Sequence, residues 1–344
     1  MINADEILFS TVRGHTNAVA RLQRSIEHER VAHAYMFVGP DGVGKRRCAT
    51  AFAAALLDGS KDQPVREADP ASASSRKLIA GNHPDFWEVR PDGQFIKKDA
   101  VAEMIRRCQF APFESDWKVF LIHDAHRMNP ASANALLKTL EEPPSRTVIV
   151  LMTSAPQQIL PTIHSRCQKI PFAPLPVDTV AEILRGQGVD ADEADALARL
   201  SEGSVGQALS LDEAGATEGR KAFGEAFFSL RFGKDLAAMD MAKALNDWPG
   251  GPEAAMELMK SFLADAVRVS AGVNETRLVH RDLADQARQF AERYDIGVLA
   301  TKIRSVTYAQ RLLQRNANKL LTAEALMLDV LEPAATDFAA RLPR

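Results

Sequence analysis

The sequence has little of what secreted and membrane proteins need. Its three cysteines, Cys48, Cys108 and Cys167, lie too far apart to indicate a disulfide framework or a chelating cluster. The longest apolar runs, such as residues 148–152, are far too short to cross a bilayer. The first ten residues lack the basic segment followed by an apolar one that marks a signal peptide. We therefore expect a cytoplasmic protein with no membrane contact.

An excess of charge of one sign is also missing. The formal net charge is −3 over 344 residues, which argues against a protein that coats nucleic acid through bulk charge. Any contact with DNA must therefore be local. The hydrophobic content of 46% is ample for sizeable cores, and a chain of this length suggests two or three domains.

One glycine-rich segment, VGPDGVGKR, is the strongest motif in the chain. Gly39, Gly42, Gly44 and Lys45 match the phosphate-loop pattern G-x-x-x-x-G-K directly after an apolar run. In such a loop, backbone N–H groups surround a phosphate at a helix N-terminus, and the lysine reaches the outer phosphates. The pattern then requires a serine or threonine whose hydroxyl binds Mg²⁺, but this chain has Arg46. We therefore expect weak nucleotide binding at most, and no required cofactor.

Strands and helices alternate through the first half of the chain. Such alternation predicts an α/β domain with a doubly wound parallel sheet, whose ligands bind at the C-terminal ends of the strands. The polar stretch at residues 61–76 is predicted to be an exposed loop. The predicted helices are residues 16–29, 44–57, 99–108 with Asp99 as its cap, and 130–142; the predicted strands are residues 35–38, 86–89, 118–122 and, as the last, 147–152.

The pattern changes around residues 173–176, after which no segment reads as a strand. Helical periodicity dominates from there to the end. We therefore predict an α/β domain at residues 1–173, a small helical lid at 174–216 and an all-α domain at 217–344. The helices predicted in this half are residues 177–185, 193–201, 256–269, 283–294, 297–314 and 321–331.

Three segments carry a family resemblance. AHAY at residues 32–35, NALLKTLEEPP at 134–144 and LPTIHSRC at 160–167 resemble the AAA+ clamp-loader subunits of bacterial DNA polymerase III. The likeness covers roughly the first 210 residues, and the helical remainder is compatible in length and character. The resemblance implies an AAA+ fold with a C-terminal collar for oligomerisation. It implies as partners the hydrolysing gamma/tau subunits, the delta subunit and, through the complex, the sliding clamp and primed DNA.

Departures from the hydrolysing subunits indicate a member that does not cleave ATP. Arg46 replaces a metal-binding hydroxyl, and His123 with Asp124 stands where those subunits carry Asp-Glu. Imidazole is a poor ligand for Mg²⁺, and Asp124 is one methylene shorter than the glutamate that orients the attacking water. Gly206 stands where a gamma-type subunit has an arginine that touches the nucleotide. Because phosphoryl transfer depends on positioned charge, we expect no hydrolysis by this chain alone.

The resemblance gives Arg166 a role in a neighbouring subunit. Within the motif Ser165-Arg166-Cys167, this residue matches an arginine finger presented to the nucleotide that the adjacent subunit holds. A finger of this kind is worth about 10³ to 10⁵ in rate. The alternative for Arg166 is an ordinary ion pair with a surface carboxylate. The alternative functions are an active ATPase of the gamma/tau type and a nucleotide-regulated scaffold unrelated to replication.

Many related subunits also carry a Cys-x-x-Cys-x-x-Cys zinc module. The matching places in this chain are Asp69, Ser72 and Ser75, which supply no thiolate. We therefore expect no zinc, and we interpret the nearby His83 as part of a turn.

Four basic residues are candidates for contact with a DNA backbone. A helix N-terminus can bind phosphate, and cations beside it add attraction that does not depend on base sequence. The alternative for each residue is a solvated charged face. The candidates are Lys97, Lys98, Arg106 and Arg107.

Overall fold

The computed structural model describes residues 2–59, 65–213, 219–249, 251–315, 317–334 and 338, and these form two compact units. The first comprises the described residues up to Thr179 together with Gly203–Gly206, and the second comprises Val180–Glu202 and the described residues from Gln207 onward. None of the described helices is long and apolar enough to pass through a bilayer. The division into three domains stays a prediction.

A five-stranded parallel sheet forms the centre of the first unit, in the order β2-β3-β4-β1-β5. The register pairs Val38 of β1, an interior strand, with Thr153 of β4 and Pro171 of β5. The segment after Val38 therefore leaves the sheet between two neighbouring strands, at the edge where parallel sheets bind ligands. The strands are β1 (Ala34–Val38), β2 (Phe86–Val89), β3 (Lys118–Ile122), β4 (Thr147–Thr153) and β5 (Gln168–Pro171).

Helices cover both faces of this sheet, because successive strand residues point to opposite sides. Tyr35 and Phe37 of β1 pack in one apolar cluster with Phe52, while Met36 packs in the other with Phe120. Both faces are therefore closed by apolar contacts. The helices of this unit begin with α1 (Thr16–Glu27), α2 (Lys45–Asp58), α3 (Ala73–Ile79), α4 (Lys98–Cys108), α5 (Pro130–Glu141) and α6 (Pro161–His164).

The second unit is helical in its described residues and is built around a cluster of aromatic rings. The ring of Phe262 lies 6.0 Å from that of Phe227 and 5.4 Å from that of Phe228. A Cβ at Gly224 would lie 2.8 Å from the Phe262 ring, so the absence of a side chain there allows close helix packing. The remaining helices are α7 (Val177–Gly186), α8 (Ala191–Leu200), α9 (Val205–Glu213), α10 (Arg220–Ser229), α11 (Asp235–Asn246), α12 (Pro252–Ser270), α13 (Ala284–Ala291), α14 (Ile296–Gln314) and α15 (Lys319–Leu331).

The parallel sheet and the predicted helices are confirmed, but three details of the prediction are wrong. The strand at residues 147–152 is not the last, because β5 follows it and pairs with β1. The stretch at residues 61–76 is not loop throughout, because α3 begins within it; residues 61–64 lie outside the described residues. Asp99 does not cap its helix, because α4 begins at Lys98 and the capping position is Lys97, whose side chain makes no capping bond. Helices α3, α6, α9, α10 and α11 were not predicted.

Candidate functional site: a closed phosphate loop and a surface arginine

Lys45 is turned back into its own loop. Its Nζ lies 2.5 Å from the carbonyl oxygen of Gly39, 2.6 Å from that of Pro40 and 3.3 Å from Oδ1 of Asp41. An ammonium has three N–H donors, so the loop offers an acceptor to each of them. Burial lowers the pKa of Lys45, and Asp41, followed by Asp124, acts in the opposite direction. A bound phosphate would have to displace these internal contacts.

The turn at Gly203–Gly206 packs directly on this loop. Ser204 Oγ donates to the carbonyl oxygen of Asp41 at 2.8 Å, and Gly206 N donates to that of Gly42 at 3.1 Å. A Cβ added at Gly206 would lie 2.8 Å from Cα of Gly42, closer than real Cβ atoms come to backbone. In this arrangement, position 206 has no room for any side chain. Gly206 therefore allows the two backbones to approach closely.

Helix α2 begins where the phosphate-loop motif predicts, but the side chain at position 46 differs from the one that the motif requires. Gly44 precedes the helix with a φ of 108°, a left-handed conformation that glycine adopts without strain. Arg46 then presents a guanidinium where the motif requires a hydroxyl, and its nearest acidic group is Glu6 at 3.8 Å. The buried Nε of Arg46 has no hydrogen-bond partner among the described residues. The first turn of α2 therefore lacks the oxygen that would bind a metal ion.

His123, directly after β3, is bound to Glu88 at the end of β2. His123 Nε2 lies 3.0 Å from Glu88 Oε1, and Arg90 donates to Glu88 Oε2 at 2.8 Å. Burial would raise the pKa of Glu88, but the hydrogen bonds from His123 and Arg90 outweigh it and lower the pKa to about 2. Because the carboxylate is ionised, His123 Nε2 donates the proton and has no lone pair for a metal. Asp124, beside it, has a φ of 45° and a left-handed backbone.

Arg166 lies after α6 and pairs with the end of α5. Its Nη2 is 2.7 Å from Glu141 Oε1, and its Nη1 donates to the carbonyl oxygen of Thr162 at 2.9 Å and lies 3.2 Å from Ser165 Oγ. The side chains of Arg166 and Glu141 are 33% and 49% exposed, so the pair is worth about 1 kcal/mol at most. Burial raises the pKa of Cys167 to about 12, which keeps its thiol neutral. The alternative role, an ion pair with a surface carboxylate, is thus present in this chain.

The first two candidate DNA-contact residues lie at the start of α4. Lys97 precedes the helix and pairs with Asp92, which raises the pKa of this exposed lysine through their hydrogen bond. Lys98 is the first residue of α4 and is exposed. These two residues lie beside a helix N-terminus, with Lys97 paired to Asp92, and their contact with DNA stays a prediction.

The other two candidates lie at the opposite end of α4 and are tied to neighbours. Arg106 and Arg107 both pair with Glu103, one turn earlier in the helix. The guanidinium of Arg107 also lies 3.9 Å from the centre of the Trp87 ring, within the range of a cation–π contact. A role of Arg106 or Arg107 in DNA binding stays a prediction that would require them to leave these partners.

Of the three places of the zinc module, Asp69 precedes α3, Ser72 caps it and Ser75 lies in its first turn. Ser72 Oγ accepts a hydrogen bond from Ser75 N at the start of α3, and Asp69 Oδ1 accepts one from Ala71 N. His83 is buried and uses both ring nitrogens within the protein, Nδ1 with Asp85 N and Nε2 with Ser74 Oγ. Over the described part of the chain, no group of three histidine, cysteine or acidic side chains is arranged to hold a metal.

Sequence reasoning did not identify Asp41, Ser204 and Glu88 as parts of this site. Asp41 occupies a position where the phosphate-loop pattern allows any residue, so the motif gives no signal for it. Ser154 Oγ donates to Asp41 Oδ2 across 113 residues of sequence, and Ser204 reaches Asp41 across 163. Contacts over such separations leave no local pattern.

Comparison with known proteins gives matches along most of the chain. A family model described as DNA polymerase III, delta subunit matches residues 14–176, and one described as DNA polymerase III, delta subunit, C terminal matches residues 215–332. DNA polymerase III subunit delta' of Bacillus subtilis strain 168 is 30% identical over 332 residues, covering 90% of this chain and 94% of the relative. Subunit delta' of Pseudomonas aeruginosa PAO1 is 31% identical over 312 residues, covering 86% and 91% respectively.

Among solved structures, a DNA polymerase III gamma subunit-related protein from Thermotoga maritima aligns with 92% of this chain and 100% of its own. The identity is 18% and the TM-score is 0.42. The two delta' relatives, aligned over nearly their full lengths, show that this chain belongs to the delta' family of DNA polymerase III subunits.

Proposed function

We propose that this chain is a delta' subunit that does not hydrolyse ATP itself. It assembles in the cytoplasm with gamma/tau-type ATPase subunits and a delta subunit to load the sliding clamp on primed DNA. The observation that supports the proposal best is the state of the phosphate loop. Lys45 is bonded within the loop, Arg46 replaces the metal-binding hydroxyl, and His123 is held by Glu88. A site without a free lysine, a metal-binding hydroxyl and a metal-binding carboxylate cannot position the charges that phosphoryl transfer requires.

In the same assembly, Arg166 acts as the finger for the nucleotide of the adjacent subunit. Its guanidinium is held by the carbonyl oxygen of Thr162, so part of its orientation is set before any partner binds. The pair with Glu141 is exposed and weak, and a γ-phosphate that gains negative charge is a stronger acceptor. Exchange of Glu141 for that phosphate therefore needs no rearrangement of the core.

The finger is tested by Arg166→Ala in the complex reconstituted with gamma/tau and delta subunits. We expect assembly to be intact by gel filtration, while the ATPase rate stimulated by DNA and clamp falls by at least the contribution of one active site. Arg166→Lys keeps the charge but not the planar guanidinium, so it should behave like Arg166→Ala. Arg24→Ala, which removes an exposed arginine from α1, is the matched control. A rate unchanged by Arg166→Ala would contradict the finger.

Non-hydrolysis is tested on the chain alone. Mg²⁺-dependent ATP turnover should be absent from the purified protein, and Lys45→Ala should leave the rate of the reconstituted complex nearly unchanged. Robust turnover by the isolated chain would favour the gamma/tau type of activity instead. Failure to bind gamma/tau and delta subunits in a pull-down would favour a scaffold outside replication.

A further inference from the structure

Asp41 takes part in three of the contacts that close the phosphate loop. Its Oδ1 lies 3.3 Å from Lys45 Nζ, and its Oδ2 accepts a hydrogen bond from Ser154 Oγ at 3.0 Å. Its main-chain carbonyl accepts the hydrogen bond from Ser204 Oγ. One residue thus joins the first residue of α2, the segment after β4 and the turn at Gly203–Gly206. All of these lie in the first unit.

The groups around the Asp41 carboxylate are those that would bind a phosphate. A phosphate loop binds anions through its lysine and through polar groups at the ends of neighbouring strands. The Asp41 carboxylate places one oxygen towards that lysine and the other on the hydroxyl that follows β4. The side chain is 72% exposed, so core packing does not require an acidic residue here.

A polyphosphate entering the loop would have to bind the Lys45 ammonium, which the Asp41 carboxylate already contacts. The phosphate and the Asp41 carboxylate would repel each other across the ammonium. Solvent weakens this repulsion at the exposed carboxylate but does not remove it, because the Lys45 side chain is only 8% exposed. The ligand would also have to separate the Gly42 and Gly206 backbones, which are joined by a hydrogen bond of 3.1 Å. The negative charge of Asp41 and the docked turn therefore oppose the same ligand.

We propose that Asp41 acts as an internal anion that keeps the phosphate loop closed, and that the loop is a latent polyphosphate site which this carboxylate blocks. The inference extends the proposed non-hydrolysing role, because it concerns ligand entry and not cleavage. A loop opened by removing the charge would bind a polyphosphate without gaining the groups that hydrolyse it.

The test is direct binding of inorganic tripolyphosphate and of ADP, without metal, to the full chain by calorimetry. Asp41→Asn keeps the size and hydrogen-bonding oxygen but removes the charge, and Asp41→Ala removes every side-chain acceptor. We expect both variants to bind about five- to tenfold more tightly than the natural chain. Asp99→Asn, an equal change of charge on the exposed first turn of α4, is the matched control and should give a much smaller gain.

Combination with Lys45→Ala shows whether the gain arises in the loop. The improvement in Asp41→Asn should disappear in the double variant, because the cation that is released is no longer present. Equal binding by the natural chain and both Asp41 variants would overturn the inference, as would a gain that persists without Lys45. Circular dichroism of each variant checks that the fold is intact. ATP turnover, measured separately, tests the non-hydrolysing role without affecting these binding outcomes.

Discussion

Lys302 is buried in the second unit, with only 2% of its surface exposed. Its Nζ donates to the carbonyl oxygen of Glu332 at 2.6 Å and lies 4.4 Å from the centre of the Tyr294 ring. Burial lowers the pKa of Lys302 to about 8, although the negative charges of Asp329 and Glu332 act to raise it. The ammonium is therefore retained at neutral pH at a cost in stability.

This lysine predicts a rise in stability with pH. Because its pKa is lower in the folded chain than in the unfolded chain, the unfolded chain holds more protons between about pH 8 and pH 10.5. The free energy of unfolding should therefore increase through that window, by about 3 kcal/mol for the whole pKa difference. Urea midpoints of the natural chain and of Lys302→Met, measured from pH 7 to pH 10, check this. A rise of equal size in Lys302→Met would contradict it.

His280 and Ser261 resemble part of a nucleophilic site, but their surroundings exclude that chemistry. His280 Nε2 lies 2.9 Å from Ser261 Oγ, while its Nδ1 lies 2.9 Å from Arg220 Nη1. A guanidinium can only donate, so Nδ1 accepts and Nε2 carries the ring proton. Burial, followed by the charge of Arg220, lowers the pKa of His280 to about 3. The imidazole therefore cannot take a proton from Ser261, and the contact is structural.

At the scale of elements, α3 depends on its N-capping residue, Ser72. Ser72 Oγ accepts a hydrogen bond from Ser75 N at 3.0 Å, and the helix that follows has only seven residues. Ser72→Ala should lower the free energy of unfolding by about 1 kcal/mol, because it leaves an N–H at the helix start without its partner. Ser72→Asp retains an acceptor and should be nearly neutral. Equal denaturant midpoints for the natural chain and Ser72→Ala would contradict this role.

The sequence predicted those elements whose burial leaves a pattern. Strands β2 and β3 were predicted with their observed bounds, because β3 is an unbroken apolar run after Lys118 and turn residues precede β2. Strand β5 was missed because only Ile170 among its four residues is buried, as suits an edge strand. Its last residue, Pro171, lacks an N–H and also favours such an edge position. Helix α3 was missed because a polar composition hid its short apolar face.

The candidate site was predictable only in part, because some of its contacts join residues that are far apart in the sequence. The motif located Lys45 and its glycines, since a phosphate loop is contiguous in sequence. The partner of His123 could not be inferred, because Glu88 lies 35 residues earlier and becomes adjacent only when β2 pairs with β3. The closed state of the phosphate loop likewise depends on contacts between distant residues, such as those of Asp41 with Ser154 and Ser204. A motif thus predicts where a site lies more readily than whether it is open.

At the scale of the whole molecule, each unit has its own apolar core. Among the described residues, the rings in contact with Phe262 all lie in the second unit, including those of Phe227 and Phe228. Phe262→Ala should therefore lower the stability of that unit by about 3–5 kcal/mol. Hydrogen exchange should show faster opening of α12 amides, with β4 amides in the sheet as the internal reference. Unchanged α12 exchange would contradict the central place of this ring.

The contact between Gly42 and Gly206 also bears on whether an arginine could be accommodated at position 206. An arginine introduced at position 206 would begin with a Cβ 2.8 Å from Cα of Gly42, so the turn would have to move away first. Reinstating a hydroxyl at position 46 and a glutamate at position 124 would leave that obstacle in place. A single substitution at position 46 or 124 would leave the Gly42 and Gly206 backbones in contact. Under the proposed non-hydrolysing role, a gain of ATPase activity would therefore require movement of this turn as well as new side chains.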